Sequence, residues 1–413
     1  MITRSTRPTA VTPAHFPWAD YSGQTFSLGL LVDQDLVLSG HSGAVFDADA
    51  GKSIVRGGMG EQTQIAYDKQ AASLGAAGMS FAAVTRVVEN VTVAGLDSYA
   101  EARAVRERVF GVHRPTVVTV VVDRLVRRTA LIEVELHASA GGGVLLAEGA
   151  APSGSATAIV ARRDLIHRGH DGSVYLPTLL PVDEDGHLVG GGDQSAQYDY
   201  CLERALRLLD RAGLDASHLV STAEYLTGSF RANQHVGRQS RAKILGSSRP
   251  AVTSVVMSRL HAPGILVALD VLASTNRPVA VEPDWAARHD DTASTAVRAG
   301  GTLFLSGVTS QNRVSGEPNR PGDLRAQAEQ VYSDVLDTLA CVGSAASDLL
   351  STVEYVTPAG IGDYRVVADV RRRLLAPPYP ASTGIVCGAL SGDDSLFQVA
   401  PTAFIPADHG SPS

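Results

Sequence analysis

The most constraining feature of the sequence is a spacing of marker residues that occurs three times. A glutamine is followed after 16 residues by a glycine, after 11 more by a glutamate, after 3 more by a threonine and after 23 more by a proline. The glutamines are Gln62, Gln197 and Gln327, and the closing prolines are Pro115, Pro250 and Pro380. Since a constant internal period identifies copies of one structural unit, the chain is predicted to contain three tandem repeats of roughly 130 residues.

The pattern around these markers predicts the same secondary structure in each repeat. Apolar residues recur at helical spacing between glutamine and glycine, for example Leu202, Ala205 and Leu209, as is typical of helices packed on a sheet. The glutamates lie in strand-like runs, second helices are expected around 99–110, 234–245 and 364–375, and two strand-like runs follow each proline. The predicted fold class is α+β, with each repeat forming a mixed β-sheet that carries two helices on one face.

Three such sheets are predicted to pack against one another. A sheet covered by helices on one face leaves its other face apolar, and three repeats in one chain can bury those faces around a shared axis. The expected architecture is an intramolecular pseudo-trimer around a central barrel, with ligand sites in the clefts between neighbouring repeats. The repeats are expected at 1–139, 155–275 and 281–407, joined by exposed connections at 138–154 and 274–291.

Composition and charge exclude several classes of partner. The formal net charge is −8 and the basic residues are spread along the chain, so nucleic acid is not an expected partner. No apolar run reaches the ~20 residues of a membrane span, and the first residues lack the apolar core of a secretory signal. Cys201, Cys341 and Cys387 form an odd, widely spaced set, which favours buried free thiols. We therefore expect a cytoplasmic protein, and the intramolecular pseudo-trimer predicts a monomer whose clefts bind a small molecule.

Several motifs resemble those of one known family. Residues 296–301 read Ala-Val-Arg-Ala-Gly-Gly and run into Leu-Phe-Leu-Ser-Gly at 303–307, while 250–255 read Pro-Ala-Val-Thr-Ser-Val. With the Gln-to-Gly helix and the threonine-ended strand, these motifs resemble the reactive-intermediate deaminase family (Rid, or YjgF). The resemblance implies a trimeric arrangement with three clefts between units, and hydrolysis of reactive enamines and imines without a cofactor. No cofactor and no metal are therefore expected.

The family's ligand residues are only partly present. The resemblance implies a carboxylate-binding arginine two places after the proline, where this chain has Val117, Val252 and Ser382. It implies a water-activating glutamate twenty places after the proline, where the chain has Glu135, Asp270 and an alanine. Glu135 and Asp270 are the predicted catalytic residues, since a carboxyl group with a raised pKa in a cleft can both accept and donate a proton. The alternative is an acid at a strand edge with a structural partner.

Four further residues are candidates for substrate binding. The family's tyrosine ahead of the Ser-Gly strand corresponds to Phe26 in the first repeat, and an asparagine on the second helix corresponds to Arg103 and Arg238. These arginines could supply the missing positive charge, or they could belong to a solvated helix face. His41 follows Ser39 and Gly40 at a strand end and could act as an acid or base near neutral pH, or be an ordinary surface histidine. The repeated Glu89, Glu224 and Glu354 are interpreted as structural and paired.

The favoured function is a cofactor-independent enzyme that acts on a reactive imine or enamine of specialised metabolism. Hydrolysis, tautomerisation and ring closure are all compatible with such a site. Because the carboxylate-binding arginine is missing, a less acidic and more apolar substrate than a simple amino-acid-derived imine is expected. Two alternatives stay open: a hydrolase of chorismate-type enol ethers, which would need anion-binding groups, and a non-catalytic binding or scaffold protein.

Overall fold

The computed structural model describes residues 7–150, 163–286, 290–311, 319–392 and 394–406. Within them, the predicted pairs of helices are confirmed, and the first helix of each pair begins three residues before its marker glutamine. The helices are α1 (Met59–Ala76), α2 (Tyr99–Phe110), α3 (Gln194–Arg211), α4 (Phe230–Leu245), α5 (Leu324–Ala340) and α6 (Arg365–Leu374). None of these described helices is both long enough and apolar enough to cross a membrane.

The strands follow one another in chain order as three groups. The first group is β1 (Thr9–Ala10), β2 (Gly29–Val32), β3 (Asp35–Ser42), β4 (Ala44–Asp47), β5 (Lys52–Val55), β6 (Val84–Thr92), β7 (Thr116–Val122), β8 (Arg124–Leu125) and β9 (Ile132–Ser139). The second is β10 (Val144–Ala150), β11 (Arg163–Arg168), β12 (Ser173–Tyr175), β13 (Leu219–Leu226), β14 (Ala251–Val256) and β15 (Val267–Ser274). The third is β16 (Val279–Val281), β17 (Ala296–Ala299), β18 (Thr302–Leu305), β19 (Val308–Thr309), β20 (Leu349–Val356), β21 (Ala381–Val386) and β22 (Phe397–Phe404).

The longer strands form three sheets with the same inner pairing. Their strand orders are β1-β2-β3-β9-β6-β7, β10-β11-β12-β15-β13-β14, and β16-β17-β18-β22-β20-β21-β8 with β19 also paired to β22. In each sheet the glutamate-bearing strand pairs antiparallel with the last long strand and parallel with the strand after the proline. The predicted mixed α+β sheets are therefore confirmed, and β4 and β5 form a separate hairpin.

The repeated glutamine fastens the first helix to the last strand. The Nε2 of Gln62 donates to the carbonyl of Gly57 at 3.0 Å, and its Oε1 accepts from the amide of Leu131 at 2.8 Å. The partners in the other two sheets are Gly190 and Leu266 for Gln197, and Arg320 and Leu396 for Gln327. Because one buried amide satisfies a backbone acceptor and a backbone donor together, the marker spacing reflects a specific structural need.

The repeated glutamate is buried beneath the helices with its own charge partner. Glu89 accepts a hydrogen bond from Tyr67 at 2.8 Å and forms an ion pair with Arg106 of α2. The equivalent ion pairs are Glu224 with Arg241 and Glu354 with Arg371. Since each carboxylate has a guanidinium partner, the three do not need to meet one another. The interpretation of these glutamates as paired and structural is confirmed.

The two faces of the sheets are buried in different ways. The helix-covered face of the first sheet packs with α1 and α2 around Tyr67, Val87 and Leu136. The opposite faces of all three sheets contribute to one apolar cluster, for example through Val120, Tyr225 and Ile385. Within the described ranges, however, the strand ladders remain separate sheets and do not close into a single hydrogen-bonded barrel.

Two segments expected to be exposed connections form strands instead. Val144–Ala150 forms β10, which pairs with β11, and Val279–Val281 forms β16, which pairs with β17. Both begin with short apolar runs whose backbone groups are satisfied at a sheet edge, although the neighbouring glycines and prolines suggested loops. The last part of the first expected connection, residues 151–154, lies outside the described residues.

The cysteines are unpaired, as expected, but they are not all buried. Cys201 and Cys387 are buried, whereas Cys341 is exposed. Burial raises the pKa of both buried thiols far above the ordinary value, so neither forms a thiolate near neutral pH. Cys341 is exposed because it lies at the end of α5 rather than on its packed face.

Candidate active site

The three sheets contact one another in a cyclic order. The strand after the proline in the third sheet, β21, lies beside β3 of the first. In the same way β7 of the first sheet lies beside residues 165–178 of the second, and β14 of the second lies beside residues 294–307 of the third. We call these contacts cleft A, cleft B and cleft C, in that order. Each cleft combines the strand after the proline of one sheet with the segment that precedes the first helix of the next sheet. The residues of the three clefts can therefore be compared position by position.

Cleft A is held by a serine that connects two sheets. The amide of Ser382 donates to Ser39 Oγ at 2.8 Å, and the Ser39 hydroxyl donates to the carbonyl of Ser27 at 2.6 Å. The amide of the next residue, Gly40, donates to Thr383 Oγ1 at 3.2 Å. The third sheet therefore presents the Ser382 and Thr383 backbone to the Ser39-Gly40 end of β3.

Cleft C has the same frame. The amide of Val252 donates to Ser306 Oγ at 2.7 Å, and the Ser306 hydroxyl donates to the carbonyl of Ser294 at 2.6 Å. A glycine again follows the serine, and the amide of Gly307 donates to the carbonyl of Val252 at 3.0 Å. The frame of the two clefts is thus equivalent, and any difference in chemistry comes from the side chains that line them.

Glu133 supplies a carboxyl group to cleft A. It is partly exposed and lies on β9 opposite Ser42 of β3. A β-carbon added at Gly40 would collide with the Glu133 carboxyl and with Thr383 Oγ1, so this carboxyl borders both sheets of the cleft. Burial, together with the nearby Glu135, raises the pKa of Glu133 to about 8. A carboxyl group that titrates in this range can exchange protons with a ligand near neutral pH.

Two basic residues, Lys69 and Arg127, act on the charge of Glu133. The ammonium of Lys69 on α1 donates to the carbonyl of Ser42 at 2.7 Å, and burial lowers the pKa of Lys69 to about 8. The charges of Lys69 and the exposed Arg127 partly oppose the rise in the pKa of Glu133. Burial and the charge of Lys69 lower the pKa of His41 to about 3. His41 therefore carries no charge at neutral pH, and its Nε2 has no hydrogen-bond partner among the described residues.

An aromatic segment covers His41. The ring of Phe16 lies 5.6 Å from the His41 ring, 5.2 Å from Trp18 and 5.5 Å from Tyr21, measured between centroids. The contacts with Trp18 and Tyr21 are edge-to-face and that with His41 is tilted, and together they stabilise a defined packing of the rings. Phe26, the residue predicted from the family's tyrosine, is half-buried and precedes the Ser27 contact to the third sheet. The ring that touches His41 belongs to Phe16.

The other two clefts have no carboxyl group at the position of Glu133. Glu133 lies opposite Asn90 in the ladder of β6 and β9, and the positions with the same pairing hold Ala268 and Gln398. Ala268 is 1% exposed and Gln398 is 2% exposed, whereas Glu133 is partly exposed. Of these three equivalent positions, only the one in cleft A holds a titratable carboxyl group that is partly exposed to solvent.

Cleft B is filled by the protein's own groups. The amide of Thr119 donates to Thr178 Oγ1 at 2.7 Å, and the carbonyl of Thr119 accepts from His261 Nε2 at 2.9 Å. Thr178 and His261 are both 6% exposed. Because these contacts satisfy both the amide and the carbonyl of Thr119, neither group is available to a ligand.

The predicted catalytic acids Glu135 and Asp270 line a central cavity between the three sheets. Glu135 accepts from Asn90 Nδ2 at 2.6 Å and from the Thr383 side chain, and burial raises its pKa. Asp270 forms an ion pair with Arg86 of the first sheet. Glu135 is thus connected to cleft A through Thr383, while Asp270 of the second sheet contacts the first sheet through Arg86.

The positions of the missing arginine differ in their surroundings. Val117 is buried in the helix-covered core of the first sheet, and Val252 gives its backbone to cleft C. Ser382 belongs to cleft A, where its Oγ accepts from Arg371 at 3.0 Å. Arg371 is itself committed to the buried Glu354, so it does not replace the missing carboxylate-binding group.

The predicted helix arginines do not reach cleft A in this structure. The guanidinium of Arg103 lies over the ring of Tyr99, 6.0 Å from its centroid, on α2. Arg238 Nε on α4 lies 3.4 Å from Asp290, which also pairs with Arg241. Of the predicted binding residues, the structure therefore brings His41 and Ser382 together at cleft A, with Phe26 beside the Ser27 contact.

Sequence reasoning passed over Glu133, Lys69 and the aromatic segment that holds Phe16. Glu133 and Glu135 are two residues apart and thus share one face of their strand. Their spacing does not show which of them reaches a neighbouring sheet. The alternation Glu-Val-Glu-Leu-His at 133–137 was an available sign that this strand has a polar inner face.

The chain belongs to the Rid/YjgF family. The family model described as Endoribonuclease L-PSP matches residues 19–140 and 290–405, so the Rid-like unit occurs at least twice. These two segments contribute the two sides of cleft A. The comparison with curated proteins gave no match.

Similar solved structures include three chains that each match about a third of this one or less. Protein YJGH is 26% identical over 32% of this chain and 98% of its own, with a TM-score of 0.29. RidA from the Antarctic bacterium Psychrobacter sp. is 24% identical over 31% of this chain and 99% of its own, with a TM-score of 0.28. A YjgF family member from Neisseria meningitidis is 25% identical over 27% of this chain and 87% of its own, with a TM-score of 0.24.

Proposed function

We propose that this protein is a cofactor-independent enzyme that acts on a reactive imine or enamine in cleft A. One observation carries the proposal: of three equivalent strand positions, only that of Glu133 combines a carboxyl group with exposure to a cleft. Family membership supports the class of chemistry. The absence of a carboxylate-binding arginine at Ser382 supports a substrate less acidic than an amino-acid-derived imine.

Glu133 is proposed to move the protons of the reaction. As a carboxylic acid it protonates the imine nitrogen, which makes the carbon electrophilic. As a carboxylate it then takes a proton from the water that adds to this carbon. Transfer of that proton to nitrogen lets the amine leave, and Glu133, again a carboxylate, takes the hydroxyl proton as the carbon becomes a carbonyl group. An enamine enters the same sequence after protonation on carbon.

Glu135 takes a supporting part in this proposal. Its negative charge, two residues away on the same face of the strand, favours the protonated form of Glu133. The hydrogen bond between Thr383 and Glu135 also fixes the third sheet against the first. Asp270 is assigned no proton transfer, because its ion pair with Arg86 lies in the central cavity.

We further propose that the three sheets are three Rid-like units, at 1–139, 155–275 and 281–407, which close into a monomeric pseudo-trimer. The glutamine contacts, the glutamate–arginine pairs and the cyclic order of the clefts support this arrangement. Sedimentation equilibrium should give the mass of a single chain. A trimer of chains would contradict the proposal, because the clefts would then have another chain to form with.

The function is tested by steady-state hydrolysis of small uncharged imines and of amino-acid-derived imines. We expect the uncharged compounds to be the better substrates, and Glu133→Gln to lose about 10²–10⁴-fold in turnover, the usual range for loss of a general acid–base group. Gln398→Met, the matched change in cleft C, should leave turnover within twofold. Equal activity of Glu133→Gln and the native protein would exclude this mechanism, and no turnover by the native protein would favour the binding-protein alternative.

A further inference from the structure

The inner faces of the three sheets enclose a cavity of about 1050 Å³ that borders cleft A at Thr383 but is not lined by Glu133. This volume is slightly above the roughly 300–1,000 Å³ that is usual for small-molecule sites. Its floor is formed by Tyr225 and Tyr355, whose hydroxyl groups lie 3.1 Å apart. Exposed residues of three strand turns line the other end, namely Asp33, Gln34, His170, Gly300 and Gly301. The cavity therefore opens to solvent at this end.

Carboxyl groups outnumber cationic groups along the cavity wall. The carboxyl groups are Asp33, Asp35, Glu135, Asp171 and Asp270, and the guanidinium groups are Arg86 and Arg298. The two histidines do not redress this balance. Burial lowers the pKa of His137 to about 3, so it is uncharged, and His170 lies at the exposed end. A wall of this composition attracts a cation more strongly than an anion.

Two buried polar atoms of residues that line the cavity lack hydrogen-bond partners in the described part of the chain. The Arg86 side chain is 7% exposed and that of Asp270 is 12% exposed, and they form an ion pair through Nη2 and Oδ2. The remaining Arg86 Nε and Asp270 Oδ1 have no hydrogen-bond partner among the described residues. Because an unsatisfied buried donor or acceptor is unfavourable, a ligand towards which these two side chains turn would satisfy both atoms and gain affinity here.

We propose that this cavity is a second binding site, for a small organic cation that has an aromatic or apolar body and a hydrogen-bond acceptor. The ammonium group donates to Asp270 Oδ1, and the acceptor receives the hydrogen bond of Arg86 Nε. The tyrosine rings and apolar wall residues such as Val88, Leu272 and Val353 contact the body of the ligand, with the ring faces favouring a cation. The site is independent of Glu133, which does not line the cavity.

Three probes of one size test this proposal by isothermal titration calorimetry. They are 2-amino-1-phenylethanol as the cation, 1-phenylethane-1,2-diol as the neutral compound and mandelate as the anion. We expect the amino alcohol to bind with one-to-one stoichiometry, the diol at least tenfold more weakly and mandelate not measurably. Equal binding of all three probes, or binding of none, would overturn the proposal.

Substitutions of residues that line the cavity test whether the amino alcohol binds there. Asp270→Asn should weaken binding of the amino alcohol at least tenfold, but it also removes the partner of a buried arginine and can unfold the chain. Ala400→Leu is the safer variant, because residue 400 holds the ladder position of Glu135 and Asp270 in the third sheet and a larger side chain there fills the cavity. It should also weaken binding at least tenfold. Undiminished binding to Ala400→Leu would place the ligand elsewhere.

Glu133→Gln separates this site from the proposed reaction. We expect this variant to bind the amino alcohol as the native protein does, whatever its turnover. Loss of binding in Glu133→Gln would place the probe in cleft A and contradict a second site. A native protein without imine hydrolase activity that still binds the probe would leave the cavity proposal standing.

Discussion

Clefts A and C share a frame but differ in the residue that faces it. In both, a serine hydroxyl accepts the amide of the opposite strand and donates to a backbone carbonyl, and a glycine follows. Glu133 borders the glycine in cleft A, whereas the buried Gln398 borders it in cleft C. Gln398 has no group that titrates. Because the sheets are joined in one chain, the frame can stay equivalent while each cleft acquires its own chemistry.

The largest expected effect comes from moving the acid without replacing it. Gly40→Ala should lower turnover of an uncharged imine about 10²-fold, the loss that a misplacement of about 1 Å can cause, because the new β-carbon would displace the Glu133 carboxyl. Gly307→Ala is the matched change, since its β-carbon would meet Gln398 in the same way. It should leave turnover within about twofold. Comparable losses in both variants would show that the two clefts do not differ as described.

The next effect concerns the frame, which should respond alike in all three sheets. Gln62→Leu, Gln197→Leu and Gln327→Leu each leave a buried backbone donor and acceptor without a partner, at a cost of about 1–3 kcal/mol. Their melting temperatures should fall by similar amounts in thermal unfolding followed by circular dichroism. A variant with an unchanged melting temperature would mark a sheet in which the glutamine is not structural.

Much of this frame could be predicted from the sequence, and the site could be predicted only in part. The marker spacing located the helices, the glutamate strands and the strands after the prolines, because each marker makes a local contact of fixed geometry. The position of Glu133 depends on which sheet lies next to β9, and that is set by long-range packing. Strand periodicity could not separate Glu133 from Glu135, since both lie on one face. Only the folded structure distinguishes them, because it shows that the Glu133 carboxyl lies against Gly40.

A smaller effect is expected on the pH dependence of turnover. If Glu133 must begin as the acid, kcat/KM should fall as the pH rises through about 8, the range in which this carboxyl loses its proton. Glu135→Gln removes a neighbouring negative charge and should move the midpoint to lower pH. Lys69→Met removes a positive charge that favours the carboxylate and should move it to higher pH. Stopped-flow or steady-state profiles measure these midpoints, and shifts in one common direction would contradict the assignment.

The smallest effect concerns stability: Glu133→Gln, which should lose activity, should be more stable than the native protein at high pH. Folding raises the pKa of Glu133 from 4.5 to about 8, so the folded state binds more protons than the unfolded state between these values. This contribution therefore lowers stability as the pH rises through that window, and it stays at its lowest level above the folded pKa. Glu133→Gln removes it, so the variant should melt a few degrees above the native protein at pH 9 and close to it at pH 5.

Gln398→Glu gives the mirror image of that measurement. The helix position equivalent to Lys69 in the third sheet holds Asp334 rather than a lysine. Burial of a carboxyl group at this 2% exposed position should therefore again favour its protonated form. Its melting temperature should therefore fall below that of the native protein by an amount that grows with pH. If neither variant shows a pH-dependent difference in melting temperature, the carboxyl groups are solvated in both clefts. Cleft A would then no longer be distinguished as the site that keeps an acid protonated for a substrate.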